Sequence, residues 1–282
     1  MAREENRLIF EDTEKLCKDN KTLAAALENS KSKQELILES DVYEVNHEPK
    51  FQEKAEIVIS KKRTLAAASA YANQNVKTAV HNFASATNPG GGVVNGSNAQ
   101  EECLCRCSTL YFNLNTNQMW DGFYKPHRAE GNPIHNDDCI YTPDVMVFKT
   151  DTAKPSLMDE KDWFPVDVIT CAAPNLRSQP SNAMNPGDGN RAVKIKDAQL
   201  LAIHEKRMRR ILDIAKNHGD EVVILGAFGC GAFANSPFVV AQAMRKAVSD
   251  YLYDFKTIEF AVYCSPKDES NYQTFQRVLK GL

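Results

Sequence analysis

Two apolar segments, each running straight into a glycine-rich turn, constrain the fold of this chain more than any other feature. Residues 78–84 lead into the turn at 88–96, and residues 221–227 lead into the turn at 226–233. Strands that are apolar throughout are typical of parallel sheets covered on both faces. Further apolar segments alternate with helical patterns, at 55–59, 166–172 and 258–263. We therefore predict an α/β fold of three layers, in which a central mixed, mostly parallel sheet carries helices on both faces.

The remaining pattern predicts several elements and one domain over 1–282. Residues 1–50 are expected to form a mostly helical N-terminal extension of that domain, because apolar residues recur there at helical spacing. Residues 140–148 resemble a hairpin that turns at Thr142-Pro143-Asp144. Other predicted elements are helices at 99–114 and 192–218 and irregular loops at 115–138 and 174–190.

Composition narrows the class of protein. The 282 residues carry a formal net charge of −3, so no broad basic surface is expected and no nucleic-acid partner is strongly indicated. The chain has no apolar run near the ~20 residues that a membrane span needs, and no signal peptide at residues 1–6. Its eight cysteines include no Cys-x-x-Cys pair, which argues against a metal site. We expect a cytoplasmic monomer with reduced thiols.

The two glycine-rich turns are candidate phosphate sites. Glycine permits positive φ and close approach of a ligand to the backbone, and successive N–H groups then form a concave anion site. Two such turns at the same ends of neighbouring strands would suit a diphosphate, although either alone could be a plain strand-to-helix turn. Neither turn contains the Gly-Lys-Ser/Thr of a P-loop or a Gly-x-Gly-x-x-Gly in register.

A pair of carboxylates follows the first turn, in Gln100-Glu101-Glu102 at the predicted start of a helix. A glycosidase needs a carboxyl group that protonates a leaving oxygen and then deprotonates water. Two structural interpretations stay open. Asn98 and Glu101 have the spacing of a capping box, and Glu102 with Arg106 has the spacing of a surface ion pair.

At these residues the chain resembles a known family. The segment 82–92, followed by seven residues and Gln100-Glu101-Glu102, resembles the signature of bacterial-type poly(ADP-ribose) glycohydrolases, which are divergent macrodomains. The segment 225–237 resembles their second, phosphate-binding loop. The resemblance implies a macrodomain-like fold, an ADP-ribose or poly(ADP-ribose) ligand, ADP-ribosylated protein as a further partner, and neither cofactor nor metal.

The resemblance also implies a role for individual residues. Glu102 would be the catalytic acid/base of a bond cleavage that passes through an oxocarbenium-like transition state at the ribose. Glu101 would bind ribose hydroxyls. Asn88 would hold the distal ribose, and Phe233 would pack against the ribose. The implied substrate-binding set is completed by Gly90, Gly91, Gly92, Val93 and Gln100 in the first segment and by Gly229, Cys230, Gly231 and Ala232 in the second.

Two other functions stay open: a non-catalytic ADP-ribose reader of the same fold, and an O-acyl-ADP-ribose deacetylase.

Residues outside the motifs are expected to have structural rather than catalytic roles. Cys103, Cys105 and Cys107 are expected in the core, and Cys230 has no visible base to activate its thiol. The basic cluster at 206–210 is expected to be a solvated helix face, with contact to a polyanion as a weaker alternative.

Overall fold

The computed structural model describes residues 2–45, 48–183, 185–265 and 267–282. Its seven strands form one sheet in the order β1-β4-β5-β3-β6-β7-β2. Strand β4 is antiparallel to β1 and β5, and the other four neighbouring pairs are parallel. The predicted mixed, mostly parallel sheet is thereby confirmed. The strands are β1 (Glu35–Ile37), β2 (Glu56–Ser60), β3 (Thr78–Ala84), β4 (Cys139–Val147), β5 (Phe164–Ala172), β6 (Val222–Leu225) and β7 (Thr257–Ala261).

Helices cover both faces of the sheet. They are α1 (Ala2–Asp19), α2 (Lys21–Ser32), α3 (Thr64–Ala72), α4 (Gln100–Cys107), α5 (Leu110–Leu114), α6 (Asn117–Met119), α7 (Lys125–Glu130), α8 (Asp197–Asn217), α9 (Pro237–Val248) and α10 (Ser270–Leu279). A π-helical turn at Trp120–Tyr124 joins α6 to α7, and 3₁₀ turns lie at Val93–Asn95 and Glu160–Asp162. In the described part of the chain, no helix combines the length and apolarity that crossing a bilayer requires.

The two faces explain why the strands are apolar throughout. Val223 and Leu225 belong to a core cluster with residues of α8, α9 and α10, whereas Val222 and Ile224 belong to a second cluster with residues of α3, α4 and α5. Successive side chains of a strand point to opposite faces. Both sets in β6 are therefore buried, and no position along this strand favours a polar residue.

The N-terminal segment packs onto the part of the chain that follows β3. Asn6 donates to the Gly96 carbonyl at 3.1 Å, and Thr13 donates to the Arg106 carbonyl at 2.6 Å. Strand β1 adds an antiparallel edge to the sheet through β4. The predicted extension at 1–50 thus contributes two helices and a strand, while residues 1, 46 and 47 lie outside the described residues.

Residues 140–148 are not a hairpin, and this prediction was wrong. They belong to one strand, β4, which pairs with β5 on both sides of a bulge between Thr142 and Val145. Asp144 has φ of 55°, and its N–H donates to the Asp167 carboxylate at 2.9 Å. Pro-Asp marks a change of backbone direction both in turns and in bulges, so the local sequence could not distinguish a hairpin turn from a bulge within one strand.

The predicted helix 99–114 and loop 115–138 also need correction. The helix is interrupted at Ser108, whose extended backbone bridges to Val147 and separates α4 from α5. Most of 115–130 is helical rather than irregular, because Met119 and Phe123 are fully buried one turn apart and Gly131 ends α7 at φ of 60°. Helix α8 begins at Asp197, five residues later than expected.

Candidate active site

A cavity of about 840 Å³ lies at the carboxyl ends of the parallel strands. Its walls come from the segments that follow β2, β3, β5, β6 and β7, and from the first turn of α4. Ligands of open α/β sheets bind at this edge. Residues from both glycine-rich turns line the same cavity, as the sequence predicts.

The cavity opens where two neighbouring strands of the sheet, β3 and β6, stop pairing. Strand β3 pairs with β5 as far as Ala84, but its pairing with β6 stops at Val80. Beyond that point, the side-chain amide of Gln100 takes the place of a neighbouring strand. Its oxygen accepts from the Phe83 N–H at 2.9 Å, and its nitrogen donates to the His81 carbonyl at 2.8 Å. Gln100 lines the cavity, but its amide is used to hold β3 apart from β6.

The Glu101 carboxylate binds the backbone just beyond the end of β3. It accepts from the Ser85 N–H at 2.8 Å and from the Asn82 amide at 3.3 Å, and it is buried. Burial raises the pKa of Glu101 well above its usual range, and the charge of Glu102 acts in the same direction, whereas the hydrogen bonds from Ser85 and Asn82 lower it. The carboxyl group is therefore buried, held by two hydrogen bonds and close to a second carboxyl group.

Both carboxylate oxygens of Glu102 are held by backbone N–H groups. One accepts from Gly92 at 2.9 Å, and the other accepts from Ala99, the residue that precedes α4, at 2.8 Å. Each carboxylate oxygen has two lone-pair sites, so this anchoring leaves acceptor capacity toward the cavity that Glu102 lines. The carboxyl group is thus fixed in one orientation where the first loop, which contains the glycine-rich turn at 88–96, meets α4.

The two structural interpretations of the acidic pair were wrong in detail. The residue that caps α4 through its side chain is Glu102, not Glu101, because the helix starts two residues after Asn98. Arg106 is buried rather than on the surface, and it donates to the Ser97 carbonyl at 2.5 Å and to Asn98 at 2.6 Å. It supports the loop in front of α4.

Gly91 lies where any side chain would collide with the acidic pair. Its φ is 57°, and a Cβ atom there would lie 2.6 Å from one Glu102 oxygen and 3.2 Å from a Glu101 oxygen. The Asn88 side chain donates to the Gly91 carbonyl and so closes the turn on itself. Only glycine combines this conformation with this space.

The Asn235 side chain anchors the second loop, which contains the glycine-rich turn at 226–233. The Asn235 amide donates to the carbonyls of Pro174 at 2.7 Å and Gly229 at 3.1 Å, and its oxygen bonds with the ring of His204 at 2.8 Å. Gly229 has φ of 73°, and a Cβ atom there would meet Ala173 at 2.6 Å. These contacts fix the shape of the loop, whose residues Gly229, Gly231, Ala232 and Phe233 line the cavity.

The predicted site residues divide into two groups. Those that line the cavity are Gly91, Gly92, Gln100, Glu101, Glu102, Gly229, Gly231, Ala232 and Phe233. Asn88, Gly90, Val93 and Cys230 are not part of this lining; Val93 is fully buried, and burial raises the pKa of the Cys230 thiol. Cys103, Cys105 and Cys107 are buried, which confirms their place in the core, and the described residues contain no group of three metal-ligating side chains.

Sequence reasoning missed the side chains that complete the cavity. Arg177, from the predicted loop 174–190, has its guanidinium 5.5 Å from the centre of the Phe233 ring. Arg63 lies 4.0 Å above the ring of Tyr263 in the same cavity. Neither arginine is near a signature motif, so only tertiary structure brings these cations to the cavity.

Loop 174–190 is anchored to the first loop by Asp188, which is fully buried. Its carboxylate accepts from Thr87 at 2.9 Å and from Asn175 at 2.7 Å, and it lies 3.4 Å from the ring of His135. Burial raises the pKa of Asp188, but the hydrogen bonds from His135, Asn175 and Thr87 outweigh it and hold the pKa below its usual value. Met184 of this loop lies outside the described residues.

The basic cluster at 206–210 is not a solvated face throughout, so that prediction was wrong for Arg207. Arg207 is buried and donates to the Asp137 carboxylate at 2.9 Å and to the carbonyls of Ala172 and Ile134, each at 2.8 Å. Lys206 remains exposed and pairs with Asp137. The helix thereby holds the end of β5, which borders the cavity.

Comparison with known proteins agrees with this geometry. The family model described as microbial-type PARG, catalytic domain, matches residues 4–150. A search of curated protein sequences gave no match.

Two solved structures are similar over most of the chain. Poly(ADP-ribose) glycohydrolase from Thermomonospora curvata, bound to the inhibitor ADP-HPD, is 26% identical with a TM-score of 0.79; the alignment covers 96% of this chain and 98% of that one. Poly(ADP-ribose) glycohydrolase from Deinococcus radiodurans, in complex with ADP-ribose, is 30% identical with a TM-score of 0.74, covering 90% and 97%. The chain described here therefore belongs to the microbial-type poly(ADP-ribose) glycohydrolase (PARG) family.

Proposed function

We propose that the chain hydrolyses the ribosyl linkage of poly(ADP-ribose) and releases ADP-ribose, with Glu102 as the general acid and then the general base. The observation that carries this proposal is the anchored Glu102 carboxyl group, fixed by two backbone N–H groups at the wall of a cavity that also contains the second loop. A side chain held in this way loses little entropy when a substrate is positioned against it.

The ADP-ribose unit would lie across the opening between β3 and β6. Backbone N–H groups of the second loop, from Gly229 to Phe233, would bind the diphosphate, and the Arg177 guanidinium would add positive charge beside them. Phe233 would pack against the ribose whose linkage is cleaved. Glu101 would accept hydrogen bonds from, or donate its own proton to, the hydroxyl groups of that ribose.

In the first step Glu102 would donate its proton to the leaving oxygen as the bond from that oxygen to the ribose anomeric carbon breaks. Positive charge then develops on the ribose ring, in an oxocarbenium-like transition state. In the second step a water molecule attacks the anomeric carbon and gives one proton back to Glu102. The substrate's own diphosphate would stabilise the positive ring, in place of the second carboxylate of most glycosidases.

The test is a comparison of Glu102→Gln with Glu101→Gln and with Glu53→Gln, an exposed control. Loss of a general acid lowers rate by about 100- to 10,000-fold. We expect that loss in Glu102→Gln, measured as ADP-ribose released from purified polymer, and ADP-ribose binding by calorimetry within a few-fold of wild type. Normal turnover by Glu102→Gln would refute the assigned role.

The same experiment separates the other functions. Tight ADP-ribose binding by the wild-type chain without release of product would favour a reader. Release of acetate from an O-acyl-ADP-ribose, without turnover of polymer, would favour a deacetylase. Cytoplasmic location, a monomeric state and ADP-ribosylated protein as a partner stay predictions. The cysteines, all unpaired, are consistent with a reducing compartment.

A further inference from the structure

A second cavity, of about 430 Å³, adjoins the first. We call it the Arg128 groove; its walls are Arg128, Gly131, Ser181, Asn182, Pro186, Gly187, Gly189 and Asn190. Asn182 lines both cavities, so the groove lies next to the cleft that contains Glu102. The groove has a long arginine on one wall and glycine backbone on the other.

Arg128 is fixed by the first loop. Its Nε atom donates to the Thr87 carbonyl at 2.6 Å, and one terminal nitrogen donates to the Asn88 side chain at 3.3 Å. The guanidinium plane lies 4.7 Å from the centre of the Trp120 ring. Asn88 in turn donates to the Gly91 carbonyl, so the arginine belongs to the same rigid unit as the backbone that holds Glu102.

The charge of Arg128 is not balanced locally. Within the described ranges it makes no ion pair with any carboxylate, and its two hydrogen bonds use only part of its five N–H donors. Asp188 follows the groove glycine Gly187, but its carboxylate is buried and committed to Thr87, Asn175 and Asn185. A half-buried guanidinium with free donors and no acidic partner favours an anion, and its planar fork suits phosphate.

Glycines form the opposite wall of the groove and pack closely against their neighbours. A Cβ atom on Gly187 would lie 2.7 Å from the Arg128 side chain, and one on Gly189 would lie 2.2 Å from the Gly131 carbonyl. Both glycines have positive φ, of 99° and 78°. The backbone at Gly187 therefore packs against the aliphatic part of the Arg128 side chain.

We propose that the Arg128 groove binds the diphosphate of the ADP-ribose unit on the leaving side of the scissile linkage. The inference rests on the proposed function and deepens it. When polymer is the substrate, the group that leaves with the Glu102 proton carries a diphosphate of its own. When the leaving group is a simple alcohol or an amino-acid side chain, it carries none. The groove would thus select polymer over substrates with a phosphate-free leaving group.

The test compares two substrates in the full chain: poly(ADP-ribose), and an O-linked ADP-ribosyl aryl glycoside whose leaving group has no phosphate. Loss of a charge-assisted contact lowers affinity by about 10- to 100-fold. For Arg128→Gln we expect a KM increase of that size with polymer and a clearly smaller loss of kcat/KM with the aryl glycoside, which reports only the lost contacts to Thr87 and Asn88. The matched control is Arg191→Gln, an exposed arginine beside the groove but outside its wall.

Other outcomes would overturn the inference. An equal loss on both substrates would show that Arg128 only supports the loop that carries Asn88 and Gly91. Unchanged KM for polymer would show that no phosphate contacts the guanidinium. Because the aryl glycoside reports cleavage without the groove, failure of the wild-type chain to release ADP-ribose from either substrate would contradict the proposed function itself.

Discussion

Replacement of Gly91 by alanine tests how tightly the acidic pair is positioned. The added Cβ atom would lie 2.6 Å from a Glu102 oxygen and 3.2 Å from a Glu101 oxygen. An ordinary contact begins near 3.4 Å. Either the Glu102 carboxylate or the loop must therefore move by close to 1 Å, and a displacement of about 1 Å at a catalytic group costs on the order of 100-fold in rate.

A second cost comes from the backbone. Gly91 has φ of 57°, and a residue with a Cβ atom in this left-handed region loses about 1–2 kcal/mol. Gly219 offers a matched control, because its φ is 80° and a Cβ atom there meets nothing within 4 Å. Gly219→Ala carries the backbone cost without the collision, at the end of α8.

The assay combines thermal unfolding with steady-state release of ADP-ribose from polymer. We expect both variants to lose a few degrees in Tm, in keeping with about 1–2 kcal/mol. Gly91→Ala alone should lose about 100-fold in kcat. If Gly91→Ala turned over polymer as fast as Gly219→Ala, the placement of Glu102 by the first loop would not limit catalysis, and the reasoning would be refuted.

Three further predictions concern groups outside the acidic pair. Burial raises the pKa of Asp220 well above its unfolded value, so this group stabilises the folded chain at low pH and that contribution is lost as pH rises from the unfolded to the folded pKa. Asp220→Asn should therefore flatten the decrease in Tm as pH is raised from about 4. Asp188→Ala leaves the Thr87 hydroxyl and the other donors to this carboxylate unpaired. Steady-state kinetics should show a KM for polymer that rises more than kcat falls, and an unchanged KM would contradict the anchoring role. Arg207→Met leaves Asp137 paired with Lys206 alone and the Ala172 and Ile134 carbonyls without their donor, so it should cost about 1–3 kcal/mol by urea unfolding; no measurable loss would show these contacts to be dispensable.

The sheet was predictable because its strands are buried on both faces. The segments around β3, β5 and β6 are rich in apolar residues and buried at nearly every position, and that pattern has few alternatives. Strand β1 was not predicted, because its three residues lie at an edge and only Ile37 is buried. An element this short has no periodicity to recognise.

The acidic pair was readable from local sequence, but its environment was not. Which carboxylate caps α4 depends on where the helix starts, and this differs from the expected start by a single residue. The partners of Arg207 come from residues near 134–137 and from the end of β5, more than thirty positions away. Contacts at such separation leave no mark on the spacing of charges along a helix.

The division of the sheet by the Gln100 amide has a consequence for mutational scans. A scan that scores turnover would place Gln100 among substrate-contacting residues, although its amide bonds to the backbone of His81 and Phe83. Hydrogen exchange at the Phe83 amide would distinguish the two roles, since losing the Gln100 acceptor exposes that N–H even without ligand. Of the three consecutive polar residues at the start of α4, the first thus fixes the end of β3, beside the Ser85 amide that binds the second.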